Sequence, residues 1–137
     1  VDTLKQFPMD IEIILKPHPA CWIDPNDYPS IDLQVTRKSL EELMDICDLA
    51  YTSPATSASV DVYCYGMPVI TTLDPSSLNL SPLRNYDGVF FVSSPSELSD
   101  ALYSIKQGSN KTNDKKEFFT LNSDLGRWKK LLLASGA

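Results

Sequence analysis

Apolar residues in this chain come in short blocks, and their spacing switches repeatedly between two periods. The run Ile11-Glu12-Ile13-Ile14-Leu15 is too continuously apolar for a half-exposed strand, so Met9–Lys16 reads as a central parallel strand. Cys21–Ser30 is polar and contains the turn sequence Pro25-Asn26-Asp27. Ile31, Leu33 and Val35 alternate with polar residues and predict a second strand over Ile31–Thr36. The period then lengthens. Leu40, Leu43, Met44 and Cys47 share one helical face, and Ser39-Leu40-Glu41-Glu42 has the form of a capping box.

The alternation continues downstream. Asp48–Thr52 reads as a strand, Ser53–Thr56 as a loop broken by Pro54, and Ser57–Tyr65 as a short helix ended by Gly66. Pro68–Thr72 and Gly88–Val92 are two further strands, separated by the long loop Leu73–Asp87. Ser94-Pro95-Ser96-Glu97 is a second capping box with proline at the first helical position, followed by the face Leu98, Ala101, Leu102, Ile105. After the polar stretch Gly108–Asn113, a last helix is predicted near Ser123–Leu133, presenting Leu125, Trp128 and Leu132. Strands alternating with helices predict an α/β fold, a Rossmann-like parallel sheet with helices on both faces. The expected division is a Rossmann-like domain over residues 1–108, then a linker and C-terminal helix over residues 109–137.

Composition narrows the function. At 137 residues with 42% hydrophobic content, one packed domain is expected. Twelve basic against eighteen acidic residues give a net charge of −6, which disfavours nucleic acid as a partner. The charge is uneven, because residues 106–137 carry seven basic and three acidic groups. Three cysteines without CxxC spacing argue against a disulfide framework or a zinc site, and a cytoplasmic setting is expected. Cys47 and Cys64 read as small buried hydrophobes. The opening VDTLKQF, without an initiator Met, reads as the end of a helix and suggests a piece of a larger protein.

Two segments carry candidate chemistry. The first is Lys16-Pro17-His18-Pro19, directly after the first strand, holding the chain's single histidine. In an open parallel sheet, ligands bind beyond the carboxyl ends of the strands. The two prolines restrict the backbone around His18, which either offers an N–H to a phosphate or bonds a loop carbonyl. The second is Tyr51-Thr52-Ser53-Pro54-Ala55-Thr56-Ser57, whose hydroxyls precede a helix N-terminus suited to an anion. Asp61 lies four residues after Ser57 on the same helical side. Its carboxylate reads either as a ribose-diol acceptor or as a solvated surface charge.

The order KPHP, then DLAYTS, then SASVDVYCYGMPVI resembles the C-terminal, donor-binding half of GT-B glycosyltransferases. Within these the nearest resemblance is to bacterial sialyltransferase and polysialyltransferase enzymes of surface-carbohydrate synthesis, over residues 11–105. The resemblance implies a nucleotide-sugar donor, CMP- or UDP-linked, and no metal or other cofactor. Lys16, His18, Pro19, Ser53, Thr56 and Ser57 are then donor- and phosphate-binding residues, and Asp61 is ribose-binding. Three departures stand out: Asp61 where a Glu is usual, Val62 where a small Ala is usual, and Pro54 interrupting a tandem hydroxyl pair. The phosphate-binding hydroxyl therefore stays open among Ser53, Thr56 and Ser57.

The resemblance further implies inverting transfer to a carbohydrate or lipid-linked acceptor. The general base would reside in an N-terminal GT-B domain of the same protein, so no catalytic residue is expected in this chain. Trp128, Lys129 and Lys130 read as contact with the inner face of an anionic membrane, or as a helix packing on this domain or its N-terminal partner. In the second case Phe118, Phe119 or Trp128 would be exposed here. Two other readings compete. Half of a UDP-sugar 2-epimerase would need more catalytic histidines and carboxylates. The other is a response-regulator-like or protein-interaction α/β domain, of which a receiver would show an acidic pair where Lys16-Pro17-His18 stands.

Overall fold

A computed structural model describes residues 11–76, 78–108, 118 and 124–134. Expectations for residues 1–10, for most of 109–123 and for Phe119 fall outside the described residues. The chain runs β1 (Ile13–Leu15), a 3-10 turn (Pro25–Asp27), β2 (Leu33–Val35), α1 (Leu40–Met44), β3 (Ala50–Thr52) and α2 (Ala58–Tyr65). It continues through β4 (Val69–Thr72), β5 (Val89–Val92), α3 (Pro95–Lys106) and α4 (Gly126–Ala134). This is an α/β arrangement in which every strand pairing is parallel.

The strands form two ladders rather than the one sheet expected. β1 pairs with β2, with Ile13 opposite Leu33 and Leu15 opposite Val35. β4 lies between β3 and β5, with Ala50 opposite Val69 and Ile70 opposite Phe90. The most buried strand is β4, where Val69, Ile70 and Thr71 expose no surface. β1, expected to be central, is half-buried along its length. The difference lies in the crossovers. The β3–β4 connection contains α2, which covers a sheet face. The β1–β2 connection contains a single 3-10 turn, too short to shield the apolar run before it.

Alternation along β4 separates two apolar layers. Val69 points to the α2 face, where it joins Val60, Val62, Tyr63, Met67 and Leu83, with Leu40, Met44 and Cys47 from the α1 region packed alongside. Ile70 points to the opposite face and meets Val92, Ala101, Leu102 and Ile105 beneath α3. Ile11, just before β1, and Leu49, just before β3, pack against that second cluster.

Termini follow the sequence signals closely. The Ser39 hydroxyl accepts the Glu42 amide at 3.2 Å, and Glu42 Oε2 accepts the Ser39 amide at 2.7 Å, a complete capping box. At α3 the box is displaced by one residue. Ser94 accepts the Glu97 amide, but the Glu97 carboxylate accepts from the Ser93 amide at 2.6 Å. Gly66 closes α2 with φ 91°, a conformation that favours a residue without Cβ. Tyr65 Oη donates to Asp45 at 2.5 Å, tying the end of α2 to the end of α1.

The Leu73–Asp87 connection is ordered by its own polar side chains. Asp74 Oδ1 accepts the Ser76 amide, Asn79 Oδ1 accepts the Ser81 amide, and Ser81 Oγ accepts the Leu83 amide. These turns carry Leu83 into the α2-side core with no exposed surface. Tyr86 meets Tyr63 edge-on, with ring centroids 5.3 Å apart. The loop thus stands where a crossover helix would otherwise cover that face.

Candidate functional site

His18 follows β1 in a tight turn closed by the Cys21 amide donating to the His18 carbonyl at 2.9 Å. Its side chain is exposed, and Nδ1 accepts the Ala20 amide at 3.2 Å. A neutral ring that accepts at Nδ1 carries its hydrogen on Nε2. The turn therefore orients the imidazole with Nε2 as the free donor. The loop bond foreseen for His18 thus exists, but to an amide rather than a carbonyl. Pro19, also exposed, occupies the turn itself. Lys16 is directed elsewhere: its Nζ donates to the Lys38 carbonyl at 2.7 Å, joining the end of β1 to the segment before α1.

The second segment follows β3. Thr56 Oγ1 accepts the Ala58 amide at 3.2 Å, while the Thr56 carbonyl accepts from Ser59 Oγ at 2.8 Å. Thr56 thus satisfies a first-turn donor from one residue before the N-cap position. Ser57, at the N-cap, has helical backbone angles (φ −69°, ψ −21°) and makes no capping bond with its side chain. Its hydroxyl is exposed beside the helix start, where the partial positive charge of the first turn lies. Ser53 is exposed as well. Asp61, one turn into α2, is exposed, and its amide donates to the Ser57 carbonyl at 3.3 Å.

The two turns each follow the carboxyl end of a parallel strand, and those strands share the α3-side cluster at their beginnings. No hydrogen bond among the described residues links the His18 turn to the Thr56–Ser57 turn. Between β3 and β4, next to Ser53, the hydroxyls of Thr52 and Thr71 pair at 3.1 Å. Tyr51 accepts a hydrogen bond from the Thr72 hydroxyl across the same two strands. Among the described residues, no group of three or more His, Cys, Asp or Glu side chains is placed to hold a metal ion.

One feature has no counterpart in the sequence motifs. An open cleft of about 440 Å³ is lined by Asn79, Ser81, Pro82, Arg84, Asn85 and Phe91. Asn85 holds a left-handed backbone, φ 67°, which asparagine tolerates better than most residues. The signal available was the turn chemistry of Asp74, Asn79 and Asn85, which marks a structured loop but not a cavity. In comparisons with known proteins, no family model, curated protein or solved structure matches this chain.

Proposed function

We propose that this chain binds the nucleotide of an activated sugar, as the donor-binding domain of a glycosyltransferase of bacterial surface-carbohydrate synthesis. The observation that carries this reading is the pair of turns that follow β1 and β3. One presents an oriented imidazole whose donor nitrogen is free. The other presents the Ser53 and Ser57 hydroxyls and a helix start within a few residues. Hydroxyl donors, an N–H and a helix N-terminus are the groups that hold a phosphate without a metal.

In this reading His18 Nε2 and the Ser57 hydroxyl contact the donor phosphate, and Asp61 accepts from the ribose diol. Transfer breaks the bond between the anomeric carbon and the phosphate oxygen. Negative charge then grows on the nucleotide, where these donors stabilise it. Deprotonation of the acceptor hydroxyl falls to a carboxylate in another domain of the same protein, so this chain alone binds donor and transfers nothing. Lys16, engaged with the Lys38 carbonyl, serves by fixing the end of β1 rather than by touching phosphate.

Titration with CMP, UDP and CDP, followed by backbone amide NMR shifts, tests the reading. Shifts clustered at residues 16–21 and 53–61 are expected, and their size across the three nucleotides names the base. No shift with any nucleotide at millimolar concentration would refute donor binding and favour a protein-interaction domain.

A further inference from the structure

Trp22 stands one residue beyond the turn that holds His18, and it is 54% exposed. The backbone is closed on both sides of it. Before it, the Cys21 amide donates to the His18 carbonyl at 2.9 Å. After it, Asp24 Oδ1 accepts the Asn26 amide at 2.9 Å and caps the 3-10 turn. The Arg37 guanidinium lies over the indole, with Cζ 4.9 Å from the ring centroid, a cation–π contact. The β1–β2 ladder brings Arg37 there. The Thr36 amide donates to the Leu15 carbonyl at 3.0 Å, so Arg37 leaves β2 beside the end of β1. With one face under the guanidinium, the exposed surface of Trp22 falls on the ring edges and the opposite face. Between residues 11 and 83 the chain has three cations, Lys16, Arg37 and Lys38, against ten carboxylates. All three cations follow the carboxyl ends of β1 and β2.

We infer that Trp22, backed by Arg37, is the platform on which a nucleobase stacks, beside the phosphate contact of His18; the inference rests on the donor-nucleotide reading and names the residue that holds the base. An indole offers a flat apolar face, and a base covers such a face while its own polar edge stays hydrated. The guanidinium holds the ring from behind and the two closed turns hold its backbone, so little freedom is left to lose on stacking. A nucleotide fits this edge on two counts. Its base matches the indole, and its phosphate matches the cations gathered there in an otherwise acidic stretch. An aromatic side chain of a protein partner would match the ring alone.

The test is a fluorescence titration of the full chain with CMP, UDP and the base-free ribose 5-phosphate. A Trp128→Phe background leaves Trp22 as the reporter, since the chain has two tryptophans. CMP and UDP should quench Trp22 emission with the same midpoint as the amide NMR shifts at residues 53–61. Ribose 5-phosphate should move those amides without quenching. Trp22→Leu is expected to weaken CMP and UDP binding about tenfold, the loss of one base–aromatic stack, and to leave ribose 5-phosphate binding unchanged. Trp22→Phe should restore most of the loss. Amide shifts with unquenched emission, or a Trp22→Leu variant that binds CMP and UDP as the parent does, would overturn the stacking while the donor reading stands. Equal weakening toward ribose 5-phosphate would also overturn it and make Trp22 a support of the His18 turn. Absence of amide shifts with all three ligands would end the donor reading and this inference together.

Discussion

Thr52 and Thr71 stand directly opposite each other on β3 and β4, with their hydroxyl oxygens 3.1 Å apart. Thr71 has no exposed surface, and Thr52 is the last strand residue before the hydroxyl-rich turn. The pair therefore connects the most buried strand to the start of the candidate site. Thr71→Val should lower unfolding stability by about 1 kcal/mol, because the Thr52 hydroxyl loses its partner away from bulk water. Replacing both threonines by valine should recover part of that loss, since no polar group is then stranded. Urea denaturation of the two single variants and the double variant gives the coupling directly.

Leu83 tests whether the long β4–β5 loop is a structural layer. It is fully buried against Val60, Val62 and Val69, although its neighbours Pro82 and Arg84 are exposed. Leu83→Ala should cost about 2–5 kcal/mol, the range for emptying a core leucine site. Arg84→Ala should cost less than about 0.5 kcal/mol. Similar losses for the two variants would mean that the loop does not close the α2-side core.

Two carboxylates set an acid limit. Glu42 is held below its ordinary value of 4.5 by accepting the Ser39 amide, and Glu97 below 4.5 by accepting the Ser93 amide. A lowered folded-state value adds stability above about pH 4.5, and that stability disappears as the pH falls through the lowered value. Stability should therefore fall as the pH drops below about 4.5. The joint variant Glu42→Gln, Glu97→Gln should show a flatter curve over the same window. Thermal melts from pH 3 to pH 7 would reveal equal slopes if the caps play no part.

Nucleotide contacts should separate by residue. His18→Ala is expected to weaken CMP or UDP binding by about tenfold or more, the loss of one hydrogen bond to a charged group. The same factor should apply to 2′-deoxynucleotides, since the contact proposed for the ring is with phosphate. Asp61→Ala should instead remove discrimination between ribo- and deoxyribonucleotides. Calorimetry that finds Asp61→Ala equal to the parent on both sugars would reassign Asp61 to a solvated surface charge.

Cysteine labelling gives an independent view of the His18 turn. Cys21 is exposed, whereas Cys47 and Cys64 are half-buried, and burial pushes the Cys47 thiol up. One thiol should react quickly with an alkylating reagent at pH 7.5 and two slowly. Because the Cys21 amide closes the His18 turn, bound nucleotide should slow that first reaction. Mass spectrometry locates the label, and unchanged Cys21 labelling at saturating nucleotide would place the ligand away from this turn.

Local signals were legible wherever the physics is local. The Ser39–Glu42 box, the serine N-cap of α3 and the glycine stop of α2 each depend on residues a few positions apart, and each forms. The face Leu98, Ala101, Leu102, Ile105 meets the sheet as its spacing requires. The partner of Glu97 was missed by one residue, because Ser93 and Ser94 are chemically alike and only backbone direction chooses between them. The rank of the strands was also missed. Ile11–Leu15 is as apolar as Val69–Thr72, yet burial depends on what covers a strand, and that is a property of the crossovers.

The amino-acid order by itself determined the parallel α/β character, the serine caps of α1 and α3, the glycine stop of α2 and the two hydroxyl- and imidazole-bearing turns, since these arise from spacing and turn chemistry along the chain. Only the tertiary structure decided that β4 is the central buried strand and that Nε2 of His18 is the free donor. It also decided that Lys16 serves Lys38. Those outcomes depend on which surfaces meet across tens of residues, and no short-range pattern encodes such a meeting.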